Sequence, residues 1–194
     1  MPTNLENRLT VGIDPSLTAT GVVLGIGNEF LAARCIRVKQ LGQQIQHRFM
    51  RMRAIAARVI DTVDAVRGEM PITVYIEGYN YGSKTAGATL AEFGGILRNE
   101  LLLRLECDLI EIPPKSMKKA VSGNGNADKA MIGRAIRDRW GVTGLSEDEA
   151  DAFGLWRFGL VVSGFIAAET DAEREAVQKI LAPRSTRRKK RRAN

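Results

Sequence analysis

Histidine occurs once in this chain, at His47, and cysteine only twice, at Cys35 and Cys107. So small a supply excludes a histidine-built zinc centre and leaves little material for a Ser-His-Asp triad. The two cysteines have neither metal-site nor disulfide spacing, which fits a reduced intracellular setting. The longest apolar stretch, Phe158 to Ala168, is too short for the roughly 20 residues of a membrane-spanning helix and reads as buried helix. The opening Met1-Pro-Thr-Asn-Leu-Glu-Asn7 lacks the basic and apolar regions of a signal peptide, so a cytoplasmic protein without membrane partners is expected. What remains is ordinary for a globular protein: 44% hydrophobic and 26% charged residues over a length of 194, enough for one domain with a sizeable core and an appendage.

Acidic residues are missing from two places, and there the charge is informative. The segment 183–194 carries seven basic residues and no acidic ones: Arg184, Arg187, Arg188, Lys189, Lys190, Arg191 and Arg192. That tail accounts for the whole net charge of +7 and leaves a formally neutral body. Within the body, Phe30 to Ile60 again holds seven Arg or Lys and no acid. A neutral body with a basic strip and a basic, disordered tail points to a polyanionic partner, nucleic acid foremost, with nuclear targeting or solubility as the other uses of such a tail.

Hydrophobic periodicity divides the rest. Residues 8–14, 19–26 and 28–39 read as three consecutive strands, with Gly25-Ile-Gly27-Asn28 as a hairpin turn between the second and third. Residues 44–67 repeat apolar side chains at helical spacing (Ile45, Phe49, Met52, Ile55, Val59, Ile60, Val63), and Gly68 and Pro71 stop that helix before a fourth strand, 72–77. A second helix spans 85–105, opened by Thr85, and a fifth strand 108–112. Then come a short helix over Lys115–Val121, a loop Ser122-Gly-Asn-Gly-Asn126, and a helix over Asp128–Trp140. Ser146 with Glu149 three positions on is a capping box that opens a helix over 146–167, which 168–181 extends or follows. This order predicts an α/β fold with a mixed five-stranded sheet, three antiparallel strands then parallel ones, flanked by helices. One domain over 1–182 and a tail over 183–194 are expected.

Four acidic residues stand out on that frame. Asp14 ends the run Leu9-Thr-Val-Gly-Ile-Asp14, and Glu77 ends Ile72-Thr-Val-Tyr-Ile-Glu77. Strand ends at a sheet rim are where open α/β sheets bind ligands. Asp148 and Asp151 share one face of the helix opened by Ser146, where the macrodipole favours anions. Asp14 has a bland alternative as a turn residue before Pro15, and Asp148 and Asp151 as helix-start acids, whereas Glu77 follows a strongly apolar strand and precedes Gly78-Tyr-Asn-Tyr81, a segment unlike core. Together they repel one another unless cations intervene, and an oxygen-only donor set favours Mg²⁺ or Mn²⁺. Two such ions about 3.5–4 Å apart can activate water and stabilise a leaving oxygen, as phosphodiester hydrolysis requires.

These residues, in this order and spacing from about Val11 to Trp156, resemble the RuvC family of Holliday junction resolvases within the RNase H-like superfamily. Gly12-Ile-Asp-Pro-Ser-Leu-Thr-Ala-Thr-Gly21 is similar to the family's first motif, Ile76-Glu77 to the second, and Asp148-Glu-Ala-Asp-Ala152 to the last. The resemblance implies an RNase H-like fold and an enzyme of DNA recombination and repair in a bacterial or phage-infected cell. It further implies two Mg²⁺ ions, replaceable by Mn²⁺, on Asp14, Glu77, Asp148 and Asp151, and no small-molecule cofactor. A homodimer would cut opposite strands of a four-way junction. Lys118 and Lys129, eleven residues apart, match two family lysines that assist catalysis and hold DNA. Asn80 stands where the family commonly has an aromatic side chain that stacks at the junction centre. Its neighbours Tyr79 and Tyr81 offer that surface instead, and such stacking contributes roughly 1–3 kcal/mol. In the tail, Arg187, Arg188, Lys189 and Lys190 are candidate DNA contacts; so basic an end is longer than the typical bacterial member's and suggests a phage-type one.

Other readings stay open on sequence. A general branched-DNA or flap cutter, an RNA–DNA hybrid nuclease and a non-catalytic RNase H-like DNA-binding protein would all share these features. An actin-like ATPase shares the Gly-Ile-Asp phosphate loop but needs two related domains, for which 194 residues are too few.

Overall fold

The computed structural model describes residues 5–78 and 86–182. Tyr79, Asn80, Tyr81, the predicted helix opener Thr85 and the whole basic tail lie outside the described residues.

Strands β1 (Leu9–Asp14), β2 (Thr20–Ile26) and β3 (Glu29–Ile36) form the antiparallel meander, and β4 (Ile72–Glu77) and β5 (Asp108–Ile112) add in parallel. The sheet order is β3-β2-β1-β4-β5, the mixed arrangement expected. Two long crossovers, α1 (Ile45–Arg67) and α2 (Ala86–Leu105), cover one face. They pack an aliphatic cluster that includes Val11, Ile13, Val22, Val74, Ile76, Ile55, Val59 and Leu97. The helices α3 (Pro114–Ser122), α4 (Lys129–Trp140), α5 (Glu147–Val162) and α6 (Asp171–Leu181) lie on the other. That side packs Val23, Tyr75, Phe153, Trp156 and Phe158.

Alternation along the strands decides which face each residue serves. Val11 and Ile13 point to the α1–α2 face, so Thr10, Gly12 and Asp14 share the other. In β4, Ile72, Val74 and Ile76 face α1 and α2, which puts Tyr75 and Glu77 opposite. Because β1 and β4 pair in register at Ile13 and Ile76, Asp14 and Glu77 fall side by side one step further, at the same rim.

Two boundaries and one helix face differ from the sequence reading. The third strand ends at Ile36 rather than near 39, because Ile36 pairs with Thr20, the first residue of β2. Beyond it the chain turns its carbonyls to α1: Arg58 Nη1 donates to Arg37 O at 2.8 Å and Arg51 Nε to Val38 O at 2.9 Å. The helix opened by Ser146 stops at Val162, not 167, so only the first half of the apolar stretch from Phe158 is helical. Gly164, at φ 70°, takes a left-handed turn there, and Phe165 N–H closes on Leu160 O at 2.9 Å. Thr170 with Glu173 then caps α6 as a separate helix. Finally, Ile45 and Phe49 extend the apolar stripe of α1 in sequence but remain exposed, together with Leu41 and Met50.

Candidate active site

Helix α5 decides what the rim carboxylates meet. It crosses β1 and β2 at unusually short range, because glycines face it. A Cβ on Gly12 would lie 2.3 Å from Ala152 O, and one on Gly21 would lie 2.0 Å from Asp148 O. No real side chain fits there, so these glycines admit the helix and bring Asp148 and Asp151 down onto the sheet. Two polar contacts help hold this approach. Trp156 Nε1 donates to Thr10 Oγ1 at 2.8 Å, and Thr10 Oγ1 donates in turn to Gly27 O at 2.8 Å. At the helix start, Ser146 and Glu149 form the predicted capping box.

Asp14, Glu77, Asp148 and Asp151 therefore converge, each half-buried. Burial first, then the neighbouring Glu77, Asp151 and Asp148 carboxylates, hold Asp14 well above the ordinary aspartate pKa. Burial followed by Asp151 likewise raises Glu77, against the pull of Lys118 and Arg98. Asp151 is raised chiefly by burial, opposed by Lys129 and Lys118. Asp148 faces cations instead: Lys129 Nζ donates to Oδ1 at 3.0 Å, and an Arg37 Nη stands 3.8 Å from Oδ2. That hydrogen bond to Asp148 is the main reason the Lys129 ammonium is pushed up. Lys118, on α3, gives Nζ to Ala127 O at 2.8 Å, which holds it at the loop before α4.

The chemistry of this donor set suits hard divalent cations. It is all oxygen, neighbouring carboxylates help raise the pKa of Asp14, Glu77 and Asp151, and Asp151 Oδ1 is buried with no hydrogen-bond partner. As the side chains stand, no three metal-ligating groups among the described residues close around one point. Lys129 and Arg37 supply part of the positive charge at Asp148.

Some participants gave no sequence signal. Arg98, on α2, donates to Glu77 O at 2.7 Å and to Glu111 Oε1 at 2.7 Å, fixing the backbone that carries the second carboxylate. Nothing in the helix pattern marks it, since the contact joins a helix to a strand end 21 residues away. Arg37 belongs to the basic strip, but its approach to Asp148 depends on where β3 ends. Cys35, on the adjoining β3 end, stands 3.9 Å from Asp148 Oδ2, and burial raises its thiol.

A sheet ordered β3-β2-β1-β4-β5, with helices on both faces and one laid across the ends of its first and fourth strands, is an RNase H-like fold. The family model for crossover junction endodeoxyribonuclease RuvC matches residues 10–155, so the chain belongs to the RuvC family. It is 30% identical to RuvC of Mycolicibacterium vanbaalenii over 84% of this chain and 87% of that one. It is 26% identical to RuvC of Christiangramia forsetii over 77% of each. Among solved structures, Thermus thermophilus RuvC superposes with a TM-score of 0.62 at 18% identity, covering 81% of this chain and 96% of that one. The T. thermophilus protein in complex with Holliday junction substrate gives 0.61 at 19% identity, covering 78% and 96%. The structural likeness carries the fold, and the family match carries the class of enzyme.

Proposed function

We propose that this protein is a divalent-metal-dependent endonuclease that cuts four-way DNA junctions by phosphodiester hydrolysis, acting as a homodimer on opposite strands. The observation that carries the reading is the meeting of Asp14, Glu77, Asp148 and Asp151 at one rim beside Lys118 and Lys129. The buried Asp151 oxygen without a partner supports a metal role. Asp14, Glu77, Asp148 and Asp151 would hold two Mg²⁺ ions, with Mn²⁺ able to replace them. When bound, the ions supply water activation and charge neutralisation at the leaving oxygen. Lys118, held by Ala127 O, faces the reacting phosphate and stabilises its developing negative charge. Lys129, which pairs with Asp148 Oδ1 at 3.0 Å, would hold a DNA phosphate beside that carboxylate. Tyr79, Asn80 and Tyr81 are assigned to the junction centre, and Arg187, Arg188, Lys189 and Lys190 to non-specific contact with DNA arms.

The junction bound in the T. thermophilus structure supports four-way DNA as substrate. An exposed apolar group at the start of α1 (Leu41, Ile45, Phe49, Met50), with Leu90 on α2, supports a dimer. The test is cleavage of a synthetic four-way junction, a flap, a linear duplex and an RNA–DNA hybrid, each with Mg²⁺ or Mn²⁺. We expect the junction to be cut fastest, and Asp14→Asn to lower that rate by at least roughly 10³-fold while junction binding persists. An Asp14→Asn protein that nicks junctions at the wild-type rate removes the assignment.

A further inference from the structure

Arg37 connects the active site to a second feature. Besides approaching Asp148, it lines a groove of about 510 Å³ between the end of β3 and the middle of α1. The other lining residues are Arg34, Cys35, Ile36, Arg58, Asp61 and Thr62. Arg34, Arg37 and Arg58 are exposed, against a single lining acid. Two lining residues are tied together: Arg58 Nη1 donates to Arg37 O at 2.8 Å, joining the chain after β3 to α1. It is also the part of the molecule where the sequence places seven basic residues and no acid between Phe30 and Ile60.

A bare sheet edge is often blunted by charge, but that requires neither a concavity nor a connection to a carboxylate of the active site. Both are present here. Arg37 and Cys35 each line the groove and reach Asp148. An anion lying in the groove would therefore share Arg37 and Cys35 with the acidic rim. Lys129 meets Asp148 through the oxygen that Arg37 does not approach, Oδ1 rather than Oδ2. Resting on the nuclease reading, we propose that the β3–α1 groove is a phosphodiester-binding site for the DNA strand that continues past the cut. Arg34 and Arg37 contact successive phosphates, and Arg37 exchanges its Asp148 partner for one of them when DNA arrives. Guanidinium groups suit this work because they bind phosphate oxygens through paired N–H donors.

The experiment measures junction binding by the full chain in EDTA, where nothing is cut, across a range of salt concentrations. Each phosphate contact contributes about 0.9 to the log–log salt slope, and a dimer sets two such arginines on each of two strands, so Arg34→Ala/Arg37→Ala should flatten the slope by about 4 and weaken binding at least roughly tenfold at 0.1 M salt. Arg34→Lys/Arg37→Lys should restore most of that slope, since charge is kept. Ethylation interference on the wild type should mark phosphates beyond the cut that the alanine variant no longer reports. An unchanged slope and an unchanged interference pattern in the alanine variant would overturn the proposal. So would a loss that lysine does not restore, because the arginines would then be supporting structure only. Cleavage by the wild type in Mg²⁺ separates the two readings. A protein that cuts junctions but shows no groove-dependent slope loses only the groove. One that shows the slope but cuts nothing loses the nuclease assignment and keeps the groove as a DNA site.

Discussion

The two faces of the sheet are built on different terms. Toward α1 and α2 the strands present Val11, Ile13, Val22, Val74 and Ile76, and the helices answer with buried, mostly aliphatic side chains. Toward α5 the same strands present Thr10, Gly12, Gly21 and Asp14, and the helix backbone comes almost into contact. The first face gains stability from buried apolar area, a force without direction. The second yields side-chain volume so that a helix can approach closely, bringing charges of one sign together. Buried area holds the molecule together on both sides, and on the α5 side a tight approach with unfavourable electrostatics builds the site as well.

That contrast can be broken most directly at Gly21. Gly21→Ala places a Cβ against the Asp148 backbone, at 2.0 Å from O and 2.6 Å from C, and backbone cannot swing aside as a flexible side chain can. We expect a loss of about 3 kcal/mol in denaturant unfolding. The folded fraction should also cut roughly 100-fold more slowly, because displacing α5 moves Asp148 and Asp151. Full single-turnover activity in the folded fraction would mean that this contact does not set the carboxylate geometry.

Val74→Ala sharpens the comparison from the other face. Removing buried methyl groups from the α1–α2 cluster should cost about 2 kcal/mol, while turnover per folded molecule stays within about twofold. A much slower enzyme of normal stability would show that the aliphatic face also tunes the site.

The smallest effect is electrostatic and has a definite sign. Asp14, Glu77 and Asp151 all have pKa values raised in the folded protein. The metal-free protein should therefore lose stability as pH rises from the ordinary carboxylate range through those raised values. Asp14→Asn removes one of the repelling charges. In EDTA it should be more stable than wild type at neutral pH, with the gap closing as pH falls to the ordinary carboxylate range. Denaturant titrations at several pH values check this, and a gap independent of pH would show that Asp14 carries no such strain.

Much of this protein was legible before folding was considered. Runs ending in Asp14 and Glu77 announced strands whose last residues reach a rim, and Ser146 with Glu149 announced the start of α5, because propensity, alternation and capping are local. The end of β3 was not legible, since it depends on β2 beginning at Thr20 and on arginines of α1 capturing the carbonyls that follow. Nor was the end of α5, where Gly164 interrupts an apolar run that reads as continuous helix. Arg98 carried no mark because its work is to hold a backbone carbonyl on another element.

The sequence by itself determined the order of strands and helices and marked four carboxylates as candidates for one site. Those follow from residue type and spacing along the chain. Only the tertiary structure decided that Gly12 and Gly21 are landing points for a helix, that Arg98 steadies Glu77, and that Arg37 joins the acidic rim to a basic groove. Each of these is a contact between residues far apart in the chain. Their distance is set by how helices pack on the sheet, and no local pattern records it.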